Sequence, residues 1–123
     1  MVLVTQGEWL DDLHFVGQTQ VELVEPFLQS GLLPGWLCIE LAAQTSAVHS
    51  GTSATQEQKT MKHGYLVGVS QWSHRHAAYA GEVITSHIQV SSTLGPLILV
   101  NAQVALKGET IASGSLKFHV EFE

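Results

Sequence analysis

The sequence predicts an α+β fold in which a curved antiparallel sheet wraps one apolar helix. Three observations predict it. The segment PGWLCIELAAQTSAVHSG, Pro34 to Gly51, carries helix punctuation at both ends and apolar residues on nearly every face. From about Gly64 onward the chain reads as strands separated by turn residues. Finally, 123 residues of which 45% are hydrophobic make a single domain, residues 1–123, with a core of its own.

The first element is a strand, Leu13 to Val24 (LHFVGQTQVELV), whose apolar and polar residues repeat closer to every two residues than every 3.6. A loop holding Pro26 and Gly31 follows, from Glu25 to Leu33. Pro34 then opens the helix, because the amide it lacks has no intrahelical partner in the first turn, and Gly51 stands where a C-terminal cap belongs. Trp36, Leu37, Cys38, Ile39, Leu41, Ala42, Ala43, Ala47 and Val48 surround its axis. Such a helix belongs inside, wrapped by other elements.

The polar stretch Thr52 to Lys62 reads as a surface loop. Strands are then expected from Gly64 to about His76, Val83 to Ser92, Leu97 to Leu106 and Thr110 to Phe122, with turns at Ala80-Gly81-Glu82, Leu94-Gly95-Pro96 and Lys107-Gly108-Glu109. In the last strand Ala112, Leu116, Phe118, Val120 and Phe122 alternate with Ser113, Ser115, Lys117, His119 and Glu121, which gives one face to a core. One strand, one buried helix and a run of long antiparallel strands is the layout of the hotdog fold, which usually pairs with a second copy.

Charge narrows the function. Charged residues are only 13% of the chain, so part of its surface suits another subunit, and an oligomer is expected. Five Lys and Arg against eleven Asp and Glu give a net charge of −6, which disfavours nucleic acid. No apolar run reaches a membrane span, MVLVTQGEWLDD does not resemble a signal peptide, and the single Cys38 cannot form an intramolecular disulfide. A soluble, cytoplasmic protein is expected.

At PGWLCIELAAQ a family resemblance emerges. Pro34-Gly35, Leu37, Ile39-Glu40 and Ala43-Gln44 resemble the Pro-Gly-x-Leu-x-Ile-Glu-x-x-Ala-Gln signature of the 3-hydroxyacyl-acyl-carrier-protein dehydratases. Tyr65, Gly68, Val69, Gly81 and Glu82 look like that family's Tyr-x-x-Gly-Ile strand and Pro-Gly-Asp turn. LPGWLCIELAAQ, with PFLQSG before it, is closer still to the dehydratase-like proteins of aryl polyene pigment clusters, which pair with a second hotdog subunit. The resemblance implies a carrier-bound acyl thioester as substrate, a homodimer or heterodimer, and no cofactor. It also implies an active site shared across the interface, with a histidine from one subunit and an acid from the other.

The chain departs from that pattern at the base. The family's histidine stands nine residues ahead of the motif glycine, where this chain has Pro26 followed by Phe27. The family also has a Leu-Pro-His-Arg-x-Pro segment ahead of a strand start that Met1-Val2-Leu3 resembles, so the sequence is expected either to start late or to have been trimmed.

Dehydration needs a polarised carbonyl and two proton transfers. The first amides of a helix are unpaired and carry the positive end of its dipole, so Gly35 and Trp36 are candidates for the carbonyl contact, with Gly35 allowing close approach. Glu40 is the candidate acid; its apolar surround should raise its pKa, and Gln44, one turn on, is placed to hold it. Tyr65 and Gly68 complete the expected substrate-binding set. Pro34-Gly35 also reads simply as a helix start, and Glu40 as a satisfied structural carboxylate.

Cys38 reads as a core residue. No metal site is expected, because His74 and His76 lack a third ligand at a recognisable spacing; with Arg75 they suit a sheet face or a dimer edge. His49 is read as facing the helix-end carbonyls, and His14 as a possible stand-in for the missing base. Two other readings stay open: a non-catalytic acyl-binding or scaffold subunit, and an acyl thioesterase in which Glu40 activates water.

Overall fold

A computed structural model describes residues 3–10, 14–19, 21–56, 61–75, 79 and 81–122. Its elements are β1 (Val4–Trp9), β2 (His14–Thr19), α1 (Val21–Val24), a 3₁₀ turn (Glu25–Phe27), α2 (Gly35–Gln56), β3 (Met61–His74), β4 (Ile84–Leu94), β5 (Leu97–Leu106) and β6 (Glu109–Phe122). The strands form one antiparallel sheet in the order β1-β2-β4-β5-β6-β3, and α2 packs across its inner face. This is the expected hotdog arrangement.

The C-terminal hairpins follow from their turn residues. Gly95 (φ 57°) and the pair Lys107 (φ 52°) and Gly108 (φ 76°) adopt the left-handed backbone that tight hairpin turns require. From there β4 pairs with β5 and β5 with β6 along most of their lengths, with inward residues such as Ile84, Ile88, Val100, Val104 and Leu116 buried. Each fully buried aliphatic side chain contributes about 1.5–3 kcal/mol.

The N-terminal half differs from expectation. Val4 to Trp9, to which the sequence reading gave no element, forms an edge strand on β2. The expected strand Leu13–Val24 is cut short at Thr19, because Val21–Val24 coils into a single helical turn. The expected loop contains a 3₁₀ turn and a tight reversal, with Gln29 bridged to Leu32 across Ser30 (φ 52°) and Gly31 (φ 78°). α2 runs through Gly51 to Gln56, so Gly51 is not its cap; of the surface loop expected at Thr52–Lys62, residues 52–56 are helix, residues 61 and 62 are strand, and residues 57–60 lie outside the described residues.

α2 is not engulfed by its own sheet. Leu37, Cys38, Leu41, Ala42, Thr45 and Ser46 are buried against the sheet, and the hydroxyls of Thr45 and Ser46 donate to the carbonyls of Leu41 and Ala42, which satisfies them in the core. Trp36 remains 48% exposed, Ala47 is exposed, and Glu40, Ala43 and Gln44 are half-buried. Residues 36, 40, 43 and 47 recur at helical spacing, so one apolar stripe with a single carboxylate stays uncovered.

Candidate functional site

The uncovered stripe meets β3 and β6 at a groove of about 240 Å³, lined by Glu40, Ala43, Gln44, Ser46, Ala47, Gly64, Leu66, Phe118 and Val120. Small residues on the helix and at Gly64 leave the space, and Leu66, Phe118 and Val120 make its far wall apolar. Among the described lining residues Glu40 is the only acidic one. Nε2 of Gln44 donates to Oε1 of Glu40 over 2.9 Å. Oε1 of Gln44 accepts from the backbone amides of Leu3 (2.6 Å) and Val4 (3.0 Å), so its amide group is fixed from both ends.

The amide end of α2 is built differently. Pro34 supplies the carbonyl that accepts from Leu37 (3.1 Å) and Cys38 (3.4 Å), which leaves Gly35 and Trp36 as the first two amides of the helix, without an intrahelical partner. Trp36 stands edge-on to Phe27, with ring centroids 5.9 Å apart. A Cβ at Gly35 would lie 2.5 Å from Cε1 and Nε2 of His74 and 2.7 Å from its Nδ1. The space above Gly35 is therefore filled by an imidazole from β3, and this packing requires glycine. His74 lies opposite buried Ala112 in the register, which puts it on the inner one of the two sheet faces. Strand alternation through Trp72 was the available signal, but the partner at residue 35 was invisible to it.

The remaining candidates separate. Tyr65 is 52% exposed and pairs with His119, so it stands on the opposite face of β3 from Leu66 and does not line the Glu40 groove. Gly68 sits at a bulge opposite Lys117, where a Cβ would make only ordinary contact at 3.8 Å. Pro26 lies exposed in the 3₁₀ turn and offers no proton to exchange.

Cys38 is buried, and desolvation pushes its thiol up to about 11, as suits a core residue. His49 is not at the helix end, because α2 continues past it; its ring packs on Trp9 and Phe15, and burial lowers its pKa. His14 alternates with buried Phe15 and so faces out from β2, away from the groove. Among the described residues no three His, Cys, Asp or Glu side chains are grouped as a metal site, and no helix is long and apolar enough to cross a membrane. His76 lies outside the described residues.

One helix laid on a six-stranded antiparallel sheet defines a hotdog protein. The chain belongs to the ApeP-like family, described as ApeP dehydratase, which it matches over residues 1–121. It is 25% identical over 119 residues to the 3-hydroxyacyl-[acyl-carrier-protein] dehydratase FabZ of Staphylococcus aureus strain JH9, covering 93% of this chain and 80% of that protein. Among solved structures it is similar to the dehydratase heterocomplex ApeI:P from Xenorhabdus doucetiae, with a TM-score of 0.85 and 25% identity over 98% of this chain and 83% of that one. A mutant thioesterase from Pseudomonas aeruginosa shares the fold, with a TM-score of 0.74 and 14% identity over 96% of this chain and 81% of that one.

Proposed function

We propose that the chain is one subunit of a cytoplasmic hotdog complex that dehydrates a carrier-bound 3-hydroxyacyl thioester, and that Glu40 is its acid. The observation that carries this reading is the Gln44-held carboxylate of Glu40 in an apolar groove on the helix stripe that the chain's own sheet leaves open. The similarity to a dehydratase heterocomplex supports a second hotdog subunit as the element that covers the stripe. Apolar residues on β3 (Leu66, Val67 and Val69) are exposed beside it and suit the same partner.

In the reaction a base removes the proton from C2, that electron pair forms the C2=C3 bond, and the C3–O bond breaks. The departing hydroxyl takes a proton from the Glu40 carboxyl and leaves as water. In each site of the complex a helix amide end polarises the carbonyl throughout, and the end that this chain supplies is Gly35 and Trp36. Tyr65 and Gly68 act, on this reading, in the contact with substrate or partner along β3. The site that uses this chain's Glu40 takes its imidazole from the partner, and Pro26 leaves this chain without the family's base for the other site.

The test is incubation of a crotonyl-carrier-protein thioester with the chain alone, with its hotdog partner alone, and with both. Hydration greater in the mixture than in either component is the expected result. Glu40→Gln is expected to lower it while leaving assembly intact, and unchanged hydration would remove Glu40 from the mechanism. Pro26 favours a second reading, a non-catalytic acyl-binding subunit, which silence of every mixture would support. Release of free thiol would instead indicate a thioesterase.

A further inference from the structure

We propose that His74 is the base of a second site in the same complex, the one built on this chain's own Gly35. The inference rests on the dehydratase reading above. A site shared across an interface comes in two copies, and Glu40 belongs to the copy whose imidazole is the partner's. Gly35 and Glu40 are five residues apart on α2, which turns them about 140° from one another and separates them by about 7.5 Å along the axis. They therefore do not need to serve the same substrate molecule.

The Gly35 site lacks a base only if Pro26 is the sole position that can supply one. Among the described histidine side chains, His14 and His87 face out from β2 and β4, and His119 faces out from β6. His49 is packed against Trp9 and Phe15. His74 alone lies at the amide end of α2. Its Cε1, Nδ1 and Nε2 edge is seated on Gly35, the first residue of α2, while the side chain stays open to solvent, so the ring lies at the amide end of the helix and is reachable by an arriving acyl chain.

A thioester carbonyl bound to the Gly35 or Trp36 amide has its C2 two bonds from the bound oxygen, beside this ring. A neutral imidazole nitrogen takes the C2 proton, the electron pair closes the C2=C3 bond, and the C3–O bond breaks. The hydroxyl leaves as water with a proton from the acid across the interface, and the imidazolium returns its proton through solvent. Glycine at 35 then has a specific purpose: it lets the base lie flush against the group that holds the carbonyl.

The experiment compares crotonyl-carrier hydration by the assembled complex carrying wild-type chain, His74→Phe, Glu40→Gln, or both changes. Assembly is checked by size exclusion. Phenylalanine keeps a ring over Gly35 and removes the exchangeable proton, which separates proton transfer from packing. The expected result is that His74→Phe lowers kcat about twofold with KM unchanged, Glu40→Gln leaves the remaining share, and the double change abolishes turnover. His74→Gln is expected to match His74→Phe. Full activity in His74→Phe, or loss of all turnover in Glu40→Gln alone, would overturn the inference and leave the dehydratase reading standing. Silence of the wild-type complex would overturn both.

Discussion

Gln44 grips Glu40 with its amide nitrogen while its amide oxygen accepts from the backbone amides of Leu3 and Val4. The carboxylate at the candidate site is thus tied, through one side chain, to the start of the edge strand β1. Gln44→Met removes all three hydrogen bonds and is expected to cost about 1–3 kcal/mol, because the Leu3 and Val4 amides lose their acceptor. Gln44→Glu keeps that acceptor but replaces the donor to Glu40 with a like charge. It should therefore retain more stability than Gln44→Met in urea unfolding and still lower hydration by the complex. Equal stability of the two variants would refute the shared-grip account.

This tie also explains part of what the sequence concealed. Residues 4–9 form only six positions with Gly7 in their midst, too short and too polar a run to announce a strand, and what secures them is a glutamine forty residues away. VELV reads the same at a period of two or of 3.6, because four residues span barely one helical turn. Past Gly51, Thr52, Ser53, Thr55 and Gln56 offer no apolar stripe, so a helix that tolerates its glycine at about 1 kcal/mol looked finished there. The strands after Ile84 were legible because alternation and positive-φ turn residues agree at every reversal. At the site, Glu40 and Gln44 were readable as neighbours one turn apart, whereas the seating of His74 on Gly35 joins residues 39 positions apart in the chain and left no local trace.

Gly35 and Gly17 both exclude a Cβ, but with opposite consequences. At Gly35 the obstacle is the outer end of His74, an exposed ring that can swing aside, so Gly35→Ala is expected to change stability by less than about 1 kcal/mol. At Gly17 the obstacles are Oγ1 of Thr45 at 2.5 Å and Cγ1 of Val4 at 2.8 Å, both in the buried interior, so Gly17→Ala is expected to cost about 1–3 kcal/mol. Denaturant unfolding checks both values. The displaced ring in Gly35→Ala should also show as a shift of the His74 imidazole signals in NMR. An unmoved His74 signal in that variant would contradict the packing described.

The partner-facing assignment of β3 yields a separate outcome. β3 hydrogen-bonds to β6 and occupies one end of the sheet order, and Val67 on it is 54% exposed. Val67→Glu places a charge on that surface without disturbing the buried core, so the chain alone should unfold within about 0.5 kcal/mol of the wild type. Its complex with the hotdog partner should weaken at least tenfold, because an unpaired carboxylate would be buried in the interface. Unchanged affinity by titration calorimetry would place the partner on another face.

His49 predicts how stability responds to acid. Trp9 and Phe15 hold its ring at centroid distances of 4.7 and 5.6 Å, and burial favours the neutral form, so its folded pKa lies below the ordinary 6.5. Between the folded and unfolded values the unfolded chain binds more protons, and unfolding is thereby favoured as the pH drops. The contribution of the neutral ring is fully present above 6.5 and is lost as the pH falls through that value toward the folded one. His49→Phe keeps an aromatic ring against Trp9 and Phe15 and removes this proton. The fall in Tm between about pH 7.5 and about pH 5.5, a window above most carboxylate titration, should therefore be smaller in the variant than in the wild type. An equal fall in both would show that the acid sensitivity arises elsewhere, with His87, whose pKa burial also lowers, as the next ring to replace.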